Sequence, residues 1–504
     1  GAPQPTGAFP LSAAQRGIWF AQHLAGDTPV NIAQYVDITG DLDLDALETA
    51  ARAVGREFGT GFLRILEEDG HPFQTVVHTG ERLTVVDLRG EADPVAAARD
   101  WMERDYTAPV DMCTDRLTVT AVLRVGDNRW FWYARIHHIA LDGVGAMTLV
   151  ARTAERYTAT VTGTTVHAPR TAALPDIVAA DEAYRRSPRF ETDRAYWTEH
   201  LAGLSDPVSL AGRGAPADAH PLLVGAELPP DTEQALRDAA ARRGSSLAPL
   251  VVAAFGTYLA RMTGHDEVML SLPVSARTTA VLRRSGGMLA NVVPLRLRTD
   301  AATVASVIAA AELELTGALR RQRYRQEDIA RDLGLTGDHA AGFGPSVNLM
   351  LFDHQVRLGA LTGRVHVLTS GLIEDLFVNL YPGGHSTHLD FQANPNLYTR
   401  DELAAHHRRF LAFLHRFATA DPGRRLTDLD LLGDDERAAL VPARGAEPVP
   451  ARTLADLLTA GAALDPGAVA VIDGPRTVTY SELDTATDRL ARLLVSAGIL
   501  LALL

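Results

Sequence analysis

The sequence predicts a mixed α/β protein assembled from two similar units, and three observations carry that expectation. The run from Arg129 to Ile136 is apolar and aromatic and reads as a β-strand. Around it, helical and strand-like patterns follow one another in an order that recurs in the second half of the chain. The 504 residues, 46% of them hydrophobic, exceed one ordinary domain and can fill more than one large core.

Taken in order, residues 1–8 read as a linker end, because they lack the charged and apolar regions of a signal peptide. The first unit, 9–180, opens with a helix from Ser12 to Leu24. Strands follow near Val36–Thr39, Phe62–Leu66, Leu117–Val125 and Arg129–Ile136, and a helix begins near Gly143. The second unit, 181–433, starts its elements around Ala183. Its helix at Asp231–Arg243 breaks at Gly244-Ser245, and the next is capped by Ser246 with Pro249 in its first turn. A strand at Val268–Leu272 comes next. The Pro, Arg and Gly content of Val441 to Arg452 predicts a linker over 434–453. Residues 454–504 carry a further helix at Leu454–Leu458 and a strand at Ala468–Asp473. Their closing run, Leu500-Leu501-Ala502-Leu503-Leu504, is odd for a natural boundary and suggests a truncated chain.

Composition narrows the function classes. A formal charge of −14 argues against a nucleic-acid partner, whose phosphates need a basic surface. No run of eighteen apolar residues suggests a membrane span, so no membrane partner is expected. The single cysteine, Cys113, excludes an intramolecular disulfide and reads as packing in strand-like surroundings. A cytoplasmic location is the expectation.

The chemistry-bearing segment is His137-His138-Ile139-Ala140-Leu141-Asp142-Gly143, where the strand ends and a helix begins. Histidine titrates nearest neutrality, and functional side chains concentrate on loops held by rigid elements. Neighbouring strand residues point to opposite faces, so the pair is poorly placed to chelate one ion, and no HExxH or CxxC pattern accompanies it; no metal is expected. The same dipeptide at His406-His407 lies within a helical pattern, 401–418, and is assigned no chemistry. At Gly143, a backbone N–H at a helix start could donate to a developing oxyanion.

The heptad matches HHxxxDG and resembles the signature of the condensation domain superfamily of non-ribosomal peptide synthetases. Phe9 to Trp19 is similar to the family's opening SxAQ motif followed by Trp, and Asp193-Arg194-Ala195-Tyr196-Trp197 to the segment entering its second lobe. Pro273 to Arg277 and Gly286 to Leu295 resemble its Arg and GxFVNTxxLR motifs. The resemblance implies two chloramphenicol-acetyltransferase-like lobes in a V-shaped pseudo-dimer, with the reaction centre in a tunnel between them. Beyond the linker, Val478-Thr479-Tyr480-Ser481-Glu482-Leu483 is close to the LTYxEL motif of adenylation domains, implying a small N-terminal adenylation fragment in cis over 454–504. No phosphate loop follows it, so ATP binding is not expected of that fragment.

The activity so implied is acyl transfer: an α-amine of a carrier-bound aminoacyl thioester attacks a carrier-bound donor acyl or peptidyl thioester. Donor and acceptor arrive on the phosphopantetheine arms of upstream and downstream carrier domains, and no directly bound cofactor is implied. An α-amine has a pKa of roughly 8, so it must shed a proton before attack and another afterwards. His138 is the residue expected to face that amine, as general base or as positioning partner. His137 is expected to be structural. Asp142 reads as a second base or as a structural anion, and the resemblance places Arg277 as its partner, which favours the structural role. Asn348 matches a family position that can face the tunnel, while Asn291 reads as structural.

This chain departs from the family pattern at Gly55 to Phe62 and at Asp115-Arg116. Its segments Pro109 to Met112 and Asn128 to Tyr133 most resemble condensation domains of siderophore assembly, hinting at an aryl or peptidyl donor. An epimerisation domain would carry an EGHGR-like motif where this chain has Ala276-Arg277-Thr278-Thr279, and a heterocyclisation domain would replace the first His with Asp. A catalytically silent recruitment module would show a degraded motif, whereas this one is intact.

Overall fold

In the computed structural model the chain divides into two units, Gly1–Gly433 and Asp434–Leu504. The structure describes residues 7–78, 82–166, 171–204, 206–300, 302–335, 342–350, 355–382, 386–440 and 451–498. Most of the opening linker, the linker stretch 441–450 and the closing Leu500–Leu504 lie outside the described residues.

Among the described residues the larger unit holds two six-stranded sheets and a small three-stranded one, Phe9–Pro10, His71–Val76 and Leu63–Glu68. The first runs in the order Gln355–Leu358, Leu361–Ser370, Asn31–Thr39, Arg129–His137, Thr118–Gly126, Thr84–Asp87. Its pairings are antiparallel except the last, which is parallel. Trp130, Phe131, Trp132 and Tyr133 are all buried. Trp130 and Trp132 pack with Val36, Ile38, Ala154 and Tyr157, whereas Phe131 and Tyr133 pack with Ala98 and Met102. A strand covered on both faces reads as an unbroken apolar run, which is why it shows no polar alternation.

The second sheet has the order Asn291–Arg298, Glu267–Val274, Ser346–Leu349, Leu376–Pro382, Thr387–Ala393, Leu222–Glu227. Helix Leu247–Thr263 supplies its core, with Leu250 to Leu259 excluded from solvent throughout, including the polar Thr257, whose hydroxyl donates to the Ala253 carbonyl. Pro230–Arg243 and Leu247–Thr263 together have the length and composition of a bent membrane span, but this burial is that of a core helix. No single helix among the described residues is long and apolar enough to cross a membrane.

Three local expectations are corrected. Strands Gln355–Leu358 and Leu361–Ser370 lie in the sequence segment of the second unit, yet Leu361–Ser370 pairs with Asn31–Thr39 in the first sheet. Cys113 sits in a turn, not a strand: its N–H and that of Thr114 donate to Asp111 Oδ1, an Asx turn that bends the chain before Leu117. Ser246 occupies the N-cap position of Leu247–Thr263 but makes no side-chain capping bond.

The smaller unit holds helices Leu454–Leu464 and Tyr480–Ser496, each opened by a capping box, at Thr453/Asp456 and Thr479/Glu482. Between them Val469–Asp473 and Arg476–Thr479 form an antiparallel pair.

Candidate active site

The site grows from the end of strand Arg129–His137. His137 is its last residue and pairs with Asn31. The chain then turns through His138 to Leu141, and Asp142 caps the helix Gly143–Thr162. Helix Ala13–Ala25 braces the turn. Ser12 and Gln15 close a capping box at its start, and Gln15 Nε2 also donates to the Ile139 carbonyl at 3.1 Å. The Gln15 amide meets that of Gln74 at 2.8 Å. The SxAQ segment thus starts a helix and grips the loop 124 residues later.

His137 is sealed from solvent. The Ile139 N–H donates to its Nδ1 at 3.2 Å, so the ring proton resides on Nε2, which faces Gln22 Oε1 at 3.0 Å. Burial, with the nearby His138 and Arg135 charges, pulls its pKa down to about 3. A neutral ring with both nitrogens engaged has no proton to exchange near neutrality.

His138 differs in its partners and its access to solvent. Its N–H donates to the Val30 carbonyl at 2.8 Å, fixing the backbone, while the residue keeps partial solvent access. Nδ1 is covered, so that access lies elsewhere on the residue. Burial lowers its pKa, against the opposing pull of the Asp142 carboxylate and of the Ser370 backbone. A neutral imidazole is the form that can accept a proton.

Asp142 is buried and accepts four hydrogen bonds. Oδ1 takes the Gly145 N–H at 2.8 Å, and Oδ2 takes the N–H groups of Leu289 and Ala290 at 2.9 and 2.8 Å and Arg277 Nη1 at 2.9 Å. Burial alone would raise its pKa, but Arg277 and these backbone donors outweigh it and hold the carboxyl below the usual range. Arg277 in turn donates to the carbonyls of Ser275 and Gly287 at 3.2 and 3.0 Å. An anion so occupied is a clamp between the helix start and the segment 275–290.

Gly143 opens the helix and does not turn the chain through a left-handed conformation. Its φ is not positive, and it is the first residue of the helix. A Cβ placed there would meet nothing within 4 Å, so the glycine keeps the space before the helix open. Its N–H has no intrahelical partner by geometry, which leaves it available as a donor. Gly145, two residues on, is where contact is tight: a Cβ there would come 3.0 Å from the Gly286 carbonyl oxygen.

Asn348 lies on Ser346–Leu349 in the second sheet, half-buried, its Nδ2 bonded to Asn379 Oδ1 at 3.0 Å. No hydrogen bond among the described residues links it to His138, Asp142 or Arg277. Asn291 donates to the carbonyls of Gln322 and Tyr324 and accepts from the Gln326 N–H. Of the other His pair, His407 bonds the Leu389 carbonyl and His406 meets Tyr258.

Two contributors had no signal in the local sequence pattern. Gln22 holds His137, and Gly371, at φ +111°, lies against the His138 ring, where a Cβ would come 3.1 Å from Cδ2.

A family described as the condensation domain matches residues 6–441. The chain belongs to the condensation domain family. It is 34% identical over 503 residues to a dimodular nonribosomal peptide synthase of Bacillus subtilis (strain 168), covering 97% of this chain and 21% of that protein. It is 29% identical over 504 residues to enterobactin synthase component F of Escherichia coli (strain K12), covering 97% of this chain and 38% of that one. The chain therefore spans well under half the length of these relatives. Among solved structures, a double mutant of the starter condensation domain of rhizomide synthetase in complex with C8-CoA and Leu-SNAC superposes with a TM-score of 0.79 at 38% identity, covering 84% of this chain and 98% of that one. The mixed α/β sheets are those of condensation domain structures, and the family's chemistry is amide-forming acyl transfer in nonribosomal peptide synthesis.

Proposed function

We propose that this domain joins a carrier-bound acyl donor to the α-amine of a carrier-bound aminoacyl acceptor, with His138 facing the amine. The nitrogen attacks the thioester carbon, the C–S bond breaks, and the amine proton ends on the departing thiol. The observation that carries this reading is the contrast between the two histidines: His137 is closed off and fully bonded, while His138 is anchored by its backbone and keeps solvent access. Gly143 N–H is the proposed donor to the tetrahedral oxyanion, and Asp142 with Arg277 the support. Asn348 is proposed to face the substrates from the second sheet.

The two lobes are read as 9–180 and 181–433, the hairpin Gln355–Ser370 of the second crossing to the sheet of the first, set in a V as a pseudo-dimer, with 434–453 as linker and 454–504 as the start of an adenylation domain in cis. Phosphopantetheine arms of upstream and downstream carriers would deliver both substrates in the cytoplasm. Similarity to a starter domain whose structure holds C8-CoA and Leu-SNAC supports a simple acyl donor over a peptidyl one. Similarity to enterobactin synthase component F supports a siderophore pathway with an aryl donor as the second reading.

The test is intact-mass analysis of loaded donor and acceptor carriers mixed with the protein and with His138→Ala. Transfer of donor mass, slowed about 10²–10⁴-fold by the substitution while the fold persists, is the expected result. No transfer across C8-acyl, aryl and aminoacyl donors, alongside saturable binding of a partner protein, would favour a silent recruitment module.

A further inference from the structure

The amide of Gln22 is buried in helix Ala13–Ala25, and each of its four hydrogen-bonding positions is used. Its Oε1 accepts the Val30 N–H at 2.9 Å and faces His137 Nε2 at 3.0 Å. Its Nε2 donates to the carbonyls of Gly26 and Thr28 at 2.8 and 3.0 Å. Two carbonyls on one side and a backbone N–H on the other fix which end of the amide is oxygen, and so fix the His137 tautomer.

Both arms of this amide end at His138. Through Val30, the carbonyl receiving the His138 N–H at 2.8 Å is held in place. Through His137, Nδ1 receives the Ile139 N–H at 3.2 Å, setting the peptide on the other side. Gln15, two helical turns earlier, takes the Ile139 carbonyl. The main chain on either side of His138 therefore hangs from one helix.

We propose that Gln22 is a positioning residue for the acyl transfer, holding the His138 backbone through Val30 and His137 without touching substrate. The proposal rests on the reading that His138 faces the acceptor amine. Small displacements of a reacting group are expensive, and a misplacement of about 1 Å can cost on the order of 10²-fold in rate.

The test is steady-state transfer between loaded carriers for the full chain, for Gln22→Met and Gln22→Glu, and for each in a His138→Ala background. Met keeps the volume and removes both polar ends, and Glu keeps the acceptor for Val30 and His137. The expected result is a kcat about 10–100-fold lower for Gln22→Met with KM for either carrier within about twofold. Gln22→Glu should recover part of that loss. In the His138→Ala background Gln22→Met should cost nothing further, because its effect runs through the missing ring.

A loss that persists at full size in the His138→Ala background would overturn the proposal and make Gln22 merely structural. So would a wild-type kcat for Gln22→Met while His138→Ala is slow. Should Gln22→Met not fold, Gln22→Glu decides alone: a kcat loss confined to the protein that retains His138 supports the proposal, and an equal loss in both backgrounds overturns it. Wild-type turnover by His138→Ala would strike the reading of His138 itself, and the proposal with it.

Discussion

Asp142 and Arg277, 135 residues apart in sequence, meet at 2.9 Å in a site where both side chains are almost wholly excluded from water. Removing the cation leaves a buried carboxylate with only backbone donors, and breaking such a pair costs about 3–5 kcal/mol. Arg277→Met is therefore expected to lower stability by that order, measured by denaturant unfolding, and to lose transfer activity with the fold. The double variant Asp142→Asn with Arg277→Met should regain part of the stability: the unpaired charge is gone, but an amide Nδ2 cannot accept the backbone N–H groups that one of the carboxylate oxygens now takes. Equal destabilisation by single and double variants would contradict the clamp.

The legibility of this site follows the range of its interactions. Strand Arg129–His137 and the caps at Ser12 and Asp142 rest on residues within a few positions of one another, and aromatic content or capping chemistry exposes them. Gln22 and Gly371 act on residues far away in the chain, the Gln22–His137 contact spanning 115 positions, and no local period encodes such a partner. The hairpin Gln355–Ser370 was hidden for the same reason, because its pairing with Asn31–Thr39 is a non-local register. Cys113 misled because the apolar residues beside it suggest a strand, whereas Asp111 supplies an Asx turn.

Acid should expose the sealed histidine. His137 has a folded pKa of about 3, below the roughly 6.5 of an unfolded histidine. Between those values the unfolded chain binds a proton that the native state refuses, so stability rises with pH, by up to about 1.4 kcal/mol per unit for this one group. The contribution is complete above pH 6.5 and is lost progressively as pH falls toward 3. His137→Gln removes the titration, so its stability measured from pH 7 down to pH 4 should fall less steeply than that of the parent. His138, His366 and His407, whose pKa values burial also lowers, keep a residual slope in both proteins.

Gly371 offers a test of ring placement from the opposite side. Its φ of +111° is a conformation that a residue with Cβ adopts only under strain of about 1–3 kcal/mol, and the added carbon would lie 3.1 Å from His138 Cδ2. Gly371→Ala is expected to lower the unfolding midpoint modestly and kcat by about tenfold or more, because the ring must shift. Retained kcat with a lowered midpoint would show that the ring tolerates the displacement.

Gly143 separates a steric role from a conformational one. With φ not positive and nothing within 4 Å of an added Cβ, Gly143→Ala strains no backbone and meets no neighbour. Alanine is the better helix former, so thermal unfolding should show stability unchanged or raised by up to about 1 kcal/mol. Transfer should nevertheless fall, and fall further for Gly143→Val, because the methyl groups enter the space in front of the helix start where the oxyanion would sit. The backbone N–H is identical in all three proteins, so the graded loss would measure occupancy of that space and not loss of the donor. Full activity in a stabilised Gly143→Val would place the reacting carbonyl away from this helix.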